Sequence, residues 1–249
     1  MSLLELRAVS RRFGSMQALA DISLSVEQGE LRAVIGPNGA GKTTLFNLIT
    51  GRFHPNTGQV IFAGKDITGL SPVRIVAQGV IRTFQVTEIF PDLTVYENLR
   101  VAVETAMGFT FRPFLGATHR AEVARHVDDL LDTVQLQSRA DHVTGELAHG
   151  DQRIVEMAIT LSRQPRLLLL DEPTAGMGEM ETQNMVDIIR RLHKERGITM
   201  LFIEHDMDII FSVADRITVL DNGTMLAEGS AEEIAANTAV QTAYLGRRR

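Results

Sequence analysis

The chain has no cysteine. That excludes disulfides and thiolate metal sites, and it is compatible with a reducing compartment. It also has no long apolar run. The longest candidates, Leu167–Leu170 and Ile198–Ile203, are strand-sized, far short of the roughly 18 residues of a membrane-crossing helix, so no span is expected. The opening stretch Met1 to Arg7 is too short and too polar for a secretory signal. Excess basic charge is missing as well: the formal net charge is −6, which argues against a general nucleic-acid binder. Arg247–Arg249 form a small basic tail, read as a solvated terminus. Repeats, low-complexity tracts and linkers are absent, which points to one domain carrying an inserted subdomain. A hydrophobic content of 44% allows a sizeable core.

Against those absences stands one dense motif, Gly36-Pro37-Asn38-Gly39-Ala40-Gly41-Lys42-Thr43-Thr44. It fits G-x-x-x-x-G-K-[ST], a phosphate-binding loop. A triphosphate needs many backbone N–H donors at close range, and glycines let the backbone fold around it. Lys42 supplies a point charge for the β- and γ-phosphates and Thr43 a hydroxyl for Mg²⁺. Thr44 adds a donor at a helix N-terminus. The flanks agree: 31–35 reads as a buried strand and 43–50 as a helix.

Along the chain, 3–9 and 18–26 alternate as strands, with Leu19, Ile22, Leu24 and Val26 aimed at a core. Between them lies Phe13, a core candidate or a base-stacking aromatic. Residues 58–64 read as a strand, and Asp66–Gly69 as a turn rather than a GTPase motif, since no Asn-Lys-x-Asp accompanies it. Ser71-Pro72 opens a helix to about Ala77, and 80–84 form a strand ending at Gln85. Strand signals then vanish. Thr94-Val95-Tyr96-Glu97 is a capping box. Helices are expected over 119–134 and 151–161. Phe109, Phe111 and Phe114 crowd seven residues, read as local packing of a long loop, with a partner-docking patch as the lesser alternative. The α/β pattern resumes with a strand over 166–171, a helix over 181–195 and a strand over 198–203. A hairpin about Asn222-Gly223 and a short helix over 230–236 follow.

Leu167–Leu170 delivers Asp171 and Glu172 at a strand tip. Beside a phosphate loop, Asp171 suits a Mg²⁺ ligand and Glu172 a base that polarises water. With these motifs in order, the chain resembles the ATP-binding subunits of ABC transporters along its whole length. The resemblance implies an α/β P-loop (RecA-like) core, an N-terminal antiparallel β-subdomain and an inserted α-helical subdomain. The expected division is 1–86 and 163–229 for the core, 87–162 for the helical part, and 230–249 for a C-terminal helix and tail.

The resemblance also implies roles. Phe13 stacks on adenine. Gly36, Asn38, Gly39, Ala40, Gly41, Lys42, Thr43 and Thr44 hold the phosphates. Thr43, Gln85 and Asp171 serve the metal. Glu172, His205, Gln85 and Lys42 act in hydrolysis. Leu147–Gln152 stands where the family signature belongs, so Ala148 and Gly150 close over ATP held by a partner subunit. Ala148 replaces a serine there, removing a charge-assisted hydrogen bond worth ~1.5–3 kcal/mol, and Gly178 stands where the D-loop carries an Asp. The site using this chain's signature is therefore expected to turn over more slowly than its companion.

Thr83-Phe84-Gln85, Ile89 to Asn98, Ile203 to Met207 and Ala243 to Gly246 resemble branched-chain amino-acid importers. His149-Gly150 and Ala175 to Met177 are similar to their urea and amide branch. The implied partners are membrane permease subunits, a second ATPase subunit (a heterodimer in the cell, with a homodimer open for the isolated chain), and indirectly a periplasmic binding protein, with no nucleic acid. The implied place is the cytoplasmic face of the inner membrane, peripherally. Two other classes are weighed. A soluble ABC ATPase of DNA repair or translation usually carries a coiled-coil insert or two cassettes. A P-loop kinase needs no signature, Gln85 and switch histidine together.

Overall fold

A computed structural model describes residues 2–83, 89–108 and 116–245. Gln85, the Phe109, Phe111 and Phe114 cluster, and the basic tail lie outside them. The chain forms two compact units: 1–82, 166–172 and 197–249 in one, 83–165 and 173–196 in the other. The second unit therefore takes in the stretch 173–196 that follows Asp171 and Glu172, which the expected 163–229 boundary had given to the core.

The first unit holds two sheets. In the antiparallel one, β1 (Ser2–Phe13) and β2 (Met16–Glu27) pair as a long hairpin, and β4 (Thr57–Phe62) and β5 (Lys65–Asp66) extend it in the order β2-β1-β4-β5. The hairpin strands run further than the expected 3–9 and 18–26. Register shifts lie at Leu6/Val9, Val9/Arg11 and Arg11/Arg12. These irregularities break the period-2 alternation while the pairing continues. Leu19, Ile22, Leu24 and Val26 are buried, as the alternation requires.

The second sheet has the order β10-β9-β3-β8-β7-β6. It comprises β3 (Leu31–Ile35), β6 (Val80–Arg82), β7 (Leu167–Asp171), β8 (Thr199–Ile203), β9 (Arg216–Asp221) and β10 (Thr224–Gly229). All neighbours are parallel except β9 and β10. Every residue of β3, β7 and β8 is buried, which is why these segments read as unbroken apolar runs. Each leucine of β7 gains about 1.5–3 kcal/mol by leaving water. The β9–β10 turn has Asn222 at φ 47° and Gly223 at φ 77°, a type I′ geometry. Helix α1 (Lys42–Ile49) adds Leu45, Phe46, Leu48 and Ile49 to a core cluster shared by both sheets. Helix α2 (Pro72–Ala77) starts after Ser71 as expected.

The second unit is helical. Its helices are α3 (Val95–Ala106), α4 (Ala117–Thr133), α5 (His149–Leu161) and α6 (Glu179–Arg196). Both bonds of the Thr94/Glu97 capping box form. Back in the first unit, α7 (Met207–Val213) and α9 (Thr238–Leu245) were not anticipated, and α8 (Ala231–Ala236) was. Thus 230–245 carries two helices rather than one.

Candidate functional site

The loop between β3 and α1 leads into a helix whose first amides no side chain caps. Gly41 precedes the helix at φ 104°. Its first-turn N–H groups point outward with the positive end of the helix dipole. A Cβ on Gly41 would fall 2.6 Å from Leu19 Cδ2, and one on Gly36 would fall 2.2 Å from the Leu220 carbonyl oxygen. Glycine is required at both by sterics alone. Asn38, Gly39 and Thr43 are exposed, Thr44 is half-buried and Ala40 is buried.

Lys42 folds back into this loop. Its Nζ donates to the Gly36 carbonyl at 2.6 Å and to the Pro37 carbonyl at 3.2 Å. Burial pushes its pKa below that of an ordinary lysine, and the charges of Glu172 and then Asp171 pull it back. Those charges act on Lys42 because the phosphate loop and the tip of β7 belong to one local site.

Asp171 ends β7 with its side chain 2% exposed, ion-paired to Arg82 Nη2. Arg82 closes β6, the neighbouring strand, and its Nη1 donates to Asn47 Oδ1 at 2.7 Å. Glu172 follows at φ 50°, a left-handed backbone that costs a non-glycine residue of order 1 kcal/mol. Its N–H bonds the Ile203 carbonyl at 3.0 Å. That contact ties it to β8, and Glu172 Oε1 meets His205 Nε2 at 2.8 Å. Both side chains face solvent, at 37% and 50% exposure. A carboxylate and an imidazole in contact, open to water beside an amide cradle and a lysine, are suited to orienting a water molecule against a phosphate.

Phe13 is half-buried and meets Phe53 edge-on, at 5.1 Å between centroids and 74° between planes. The Arg11 guanidinium covers its ring at 4.6 Å. It is thus neither a buried core residue nor a wholly open platform.

In the helical unit, Ala148 is the exposed N-cap of α5 and makes no side-chain cap bond. The helix begins at His149, two residues before the expected start at Asp151. Asp151 lies in its first turn, 4.0 Å from Arg139. Gly150 is buried, and its N–H donates to Glu181 Oε1 at 3.2 Å. The other oxygen, Oε2, accepts from the Gly178 N–H at 3.0 Å. Glu181 so joins the signature segment to the D-loop position, and a Cβ on Gly150 would lie 2.6 Å from its Cδ.

An ABC transporter family model matches residues 19–175. The chain belongs to the ABC transporter family. A second model, described as the branched-chain amino acid ATP-binding cassette transporter, matches residues 224–249 of the cassette. The cassette is 39% identical to the high-affinity branched-chain amino acid transport ATP-binding protein BraF of Pseudomonas aeruginosa, with 98% of each chain covered. It is 37% identical to the corresponding protein LivG of Escherichia coli, again with 98% of each covered. A crystal structure of an ABC transporter's ATP-binding cassette in its ADP conformation superposes with a TM-score of 0.84 at 29% identity, covering 99% of this chain and 100% of that one. This ABC cassette is an ATP-binding, ATP-hydrolysing subunit, of the kind that works with membrane permeases. These relatives are named as transport proteins, which does not favour the DNA-repair or translation reading.

Of the sequence-predicted residues, the cassette's first unit brings together Lys42, Asp171, Glu172 and His205. Ala148 and Gly150 lie in the other unit. Sequence reasoning missed Arg82, Asn47 and Glu181. A cation closing the apolar strand Val80-Ile81-Arg82, and an amide among the apolar residues of α1, were available signals for the first two. Nothing in the spacing pointed to Glu181, because Gly150 is 31 positions away.

Proposed function

We propose that this cassette hydrolyses Mg-ATP while paired with a second cassette, and that closure of the pair drives permease subunits importing branched-chain amino acids or related small polar and amide solutes. The observation that carries the chemistry is the His205–Glu172 contact at 2.8 Å beside a lysine that senses both carboxylates. The substrate class rests on the names of the relatives and on the C-terminal family match.

In this reading the loop amides of 36–44 and the Lys42 ammonium bind the triphosphate and offset its charge. Phe13 lies against the adenine once the Arg11 guanidinium makes way. Glu172 holds and polarises the attacking water, and His205 passes from Glu172 to the γ-phosphate oxygen it then stabilises. Among the described residues no group of three or more His, Cys, Asp or Glu could hold a metal. Mg²⁺ bound with a nucleotide needs no such group, since one carboxylate, a hydroxyl, waters and phosphate oxygens complete its shell. Asp171 fits, because its buried carboxylate already accepts a cationic partner, and Thr43 and Gln85 would complete the protein's share. Mg²⁺ there neutralises developing charge on the phosphates.

The signature segment with Ala148 and Gly150 serves the ATP of the second cassette. The native assembly is a heterodimer at the cytoplasmic membrane face, with a periplasmic binding protein delivering solute. No helix among the described residues is long and apolar enough to cross a membrane, so the permeases supply the spans. The proposed domain division keeps a nucleotide core, a helical subdomain and a C-terminal segment.

Glu172→Gln tests the chemistry. Turnover is expected to fall by at least about 10²-fold while nucleotide affinity stays near that of the wild type. Retained turnover would remove Glu172 from the mechanism. Uptake of labelled leucine in proteoliposomes holding the full transporter tests the substrate, and a flat response would overturn that part.

A further inference from the structure

Arg82 has no place in the hydrolytic scheme above, yet it holds the most guarded carboxylate of the site. Its guanidinium spans three elements. One nitrogen pairs with Asp171 Oδ2 at the tip of β7, and the other donates to Asn47 Oδ1 on α1 at 2.7 Å. Its Cζ lies over the Phe46 ring, 5.6 Å from the centroid. Side-chain exposures are 12% for Arg82 and 2% for Asp171. A carboxylate this buried is costly without a counter-charge, and Arg82 is the charge that meets it.

Asp171 is also the carboxylate read above as a Mg²⁺ ligand, and the inference rests on that reading. Two cations then have claims on one carboxylate. Arg82 is well placed to give way: Asn47 and the Phe46 face retain the guanidinium when its bond to Asp171 opens, so it need not leave for solvent. We propose that Arg82 is a positioning residue of the metal seat, which holds Asp171 in place without metal and cedes it when Mg²⁺ arrives with the nucleotide. Its charge works in two directions. It favours metal-free triphosphate by offsetting Asp171, and it opposes Mg²⁺ by like-charge repulsion.

The test uses the full chain, with affinity for mant-labelled AMP-PNP measured by fluorescence in EDTA and across a MgCl₂ titration. In Arg82→Gln, affinity in EDTA is expected to weaken about tenfold, while the half-saturating MgCl₂ concentration falls by about the same factor, as expected when one nearby charge is removed. A merely structural role would weaken binding equally with and without metal, and a half-saturating MgCl₂ that is unchanged or raised overturns the proposal. Arg82→Met carries the test if the glutamine variant does not fold. It removes the same charge while keeping an apolar stem beside Phe46, so the same fall in half-saturating MgCl₂ is expected, and its absence is equally fatal. Wild-type binding that ignores MgCl₂ would instead remove Asp171 as a metal ligand, and the proposal with it.

Discussion

At Lys42 two demands oppose each other. The loop must bury the ammonium to place it against phosphates, and burial disfavours its charge. Desolvation therefore lowers its pKa below that of an ordinary lysine, although Glu172 and Asp171 partly restore it. In the unliganded fold the charged form is the penalised one. The penalty is present below the lowered folded pKa and is relieved as pH rises through it toward the unfolded value. A bound triphosphate reverses the preference and favours the ammonium. Nucleotide affinity should accordingly fall as pH rises through the free-state pKa, which lies below that of an ordinary lysine. Equilibrium binding of mant-AMP-PNP in EDTA over about pH 7 to 10 checks this, with Lys42→Arg as the variant whose charge persists. A wild-type curve parallel to that of the arginine variant would contradict the assignment.

Among the elements, α3 depends on one amide as much as on its apolar face. Asn98 is 1% exposed. Its Nδ2 donates to the carbonyls of Phe90 at 3.0 Å and Thr94 at 3.0 Å and to Thr144 Oγ1 at 2.9 Å, while Oδ1 accepts from the Phe90 N–H at 2.8 Å. Asn98→Ala strands several of these groups and should cost about 3 kcal/mol. Because the chain has two units, the loss is best read as faster hydrogen exchange over 89–98 alongside urea unfolding. Unchanged exchange there would refute the role. The Thr94/Glu97 box at the same end was legible because its spacing is short and chemically definite. The hub at Asn98 was not, since it rests on a loop turn at Phe90 and on Thr144, 46 positions away. The same contrast holds for strands. The runs 31–35 and 167–171 were readable to within a residue, since every side chain is buried. The β1–β2 hairpin was underestimated, since shifts at Val9, Arg11 and Arg12 scramble the alternation that reveals strands. Helix α7 escaped notice because seven residues hold barely two turns of periodicity.

For the whole molecule, the phosphate loop and the signature segment belong to different compact units, and the proposed chemistry needs a second cassette. Hydrolysis by the isolated chain should then be second order at low concentration: specific activity rises with protein concentration and levels off once pairs predominate. A specific activity independent of dilution would show that one chain suffices. The motifs made the site's membership readable, because a phosphate, a metal and a water each demand particular groups at particular spacings. Arg82 and Glu181 were hidden because their function depends on what the fold sets beside them.

The phosphate cradle is fastened from far down the chain. The Gly223 N–H bonds the Ala40 carbonyl at 3.1 Å, and the Ala20 N–H bonds the Gly223 carbonyl at 2.7 Å. Leu31, at the start of β3, donates to Asp215 Oδ2 at 2.8 Å across 184 positions of sequence. During synthesis the motif 36–44 emerges well before the turn that clamps it. A nascent chain halted before Asn222 would hold the whole motif without the hydrogen bonds that fasten it, so ATP capture is expected to strengthen once that turn has joined the fold.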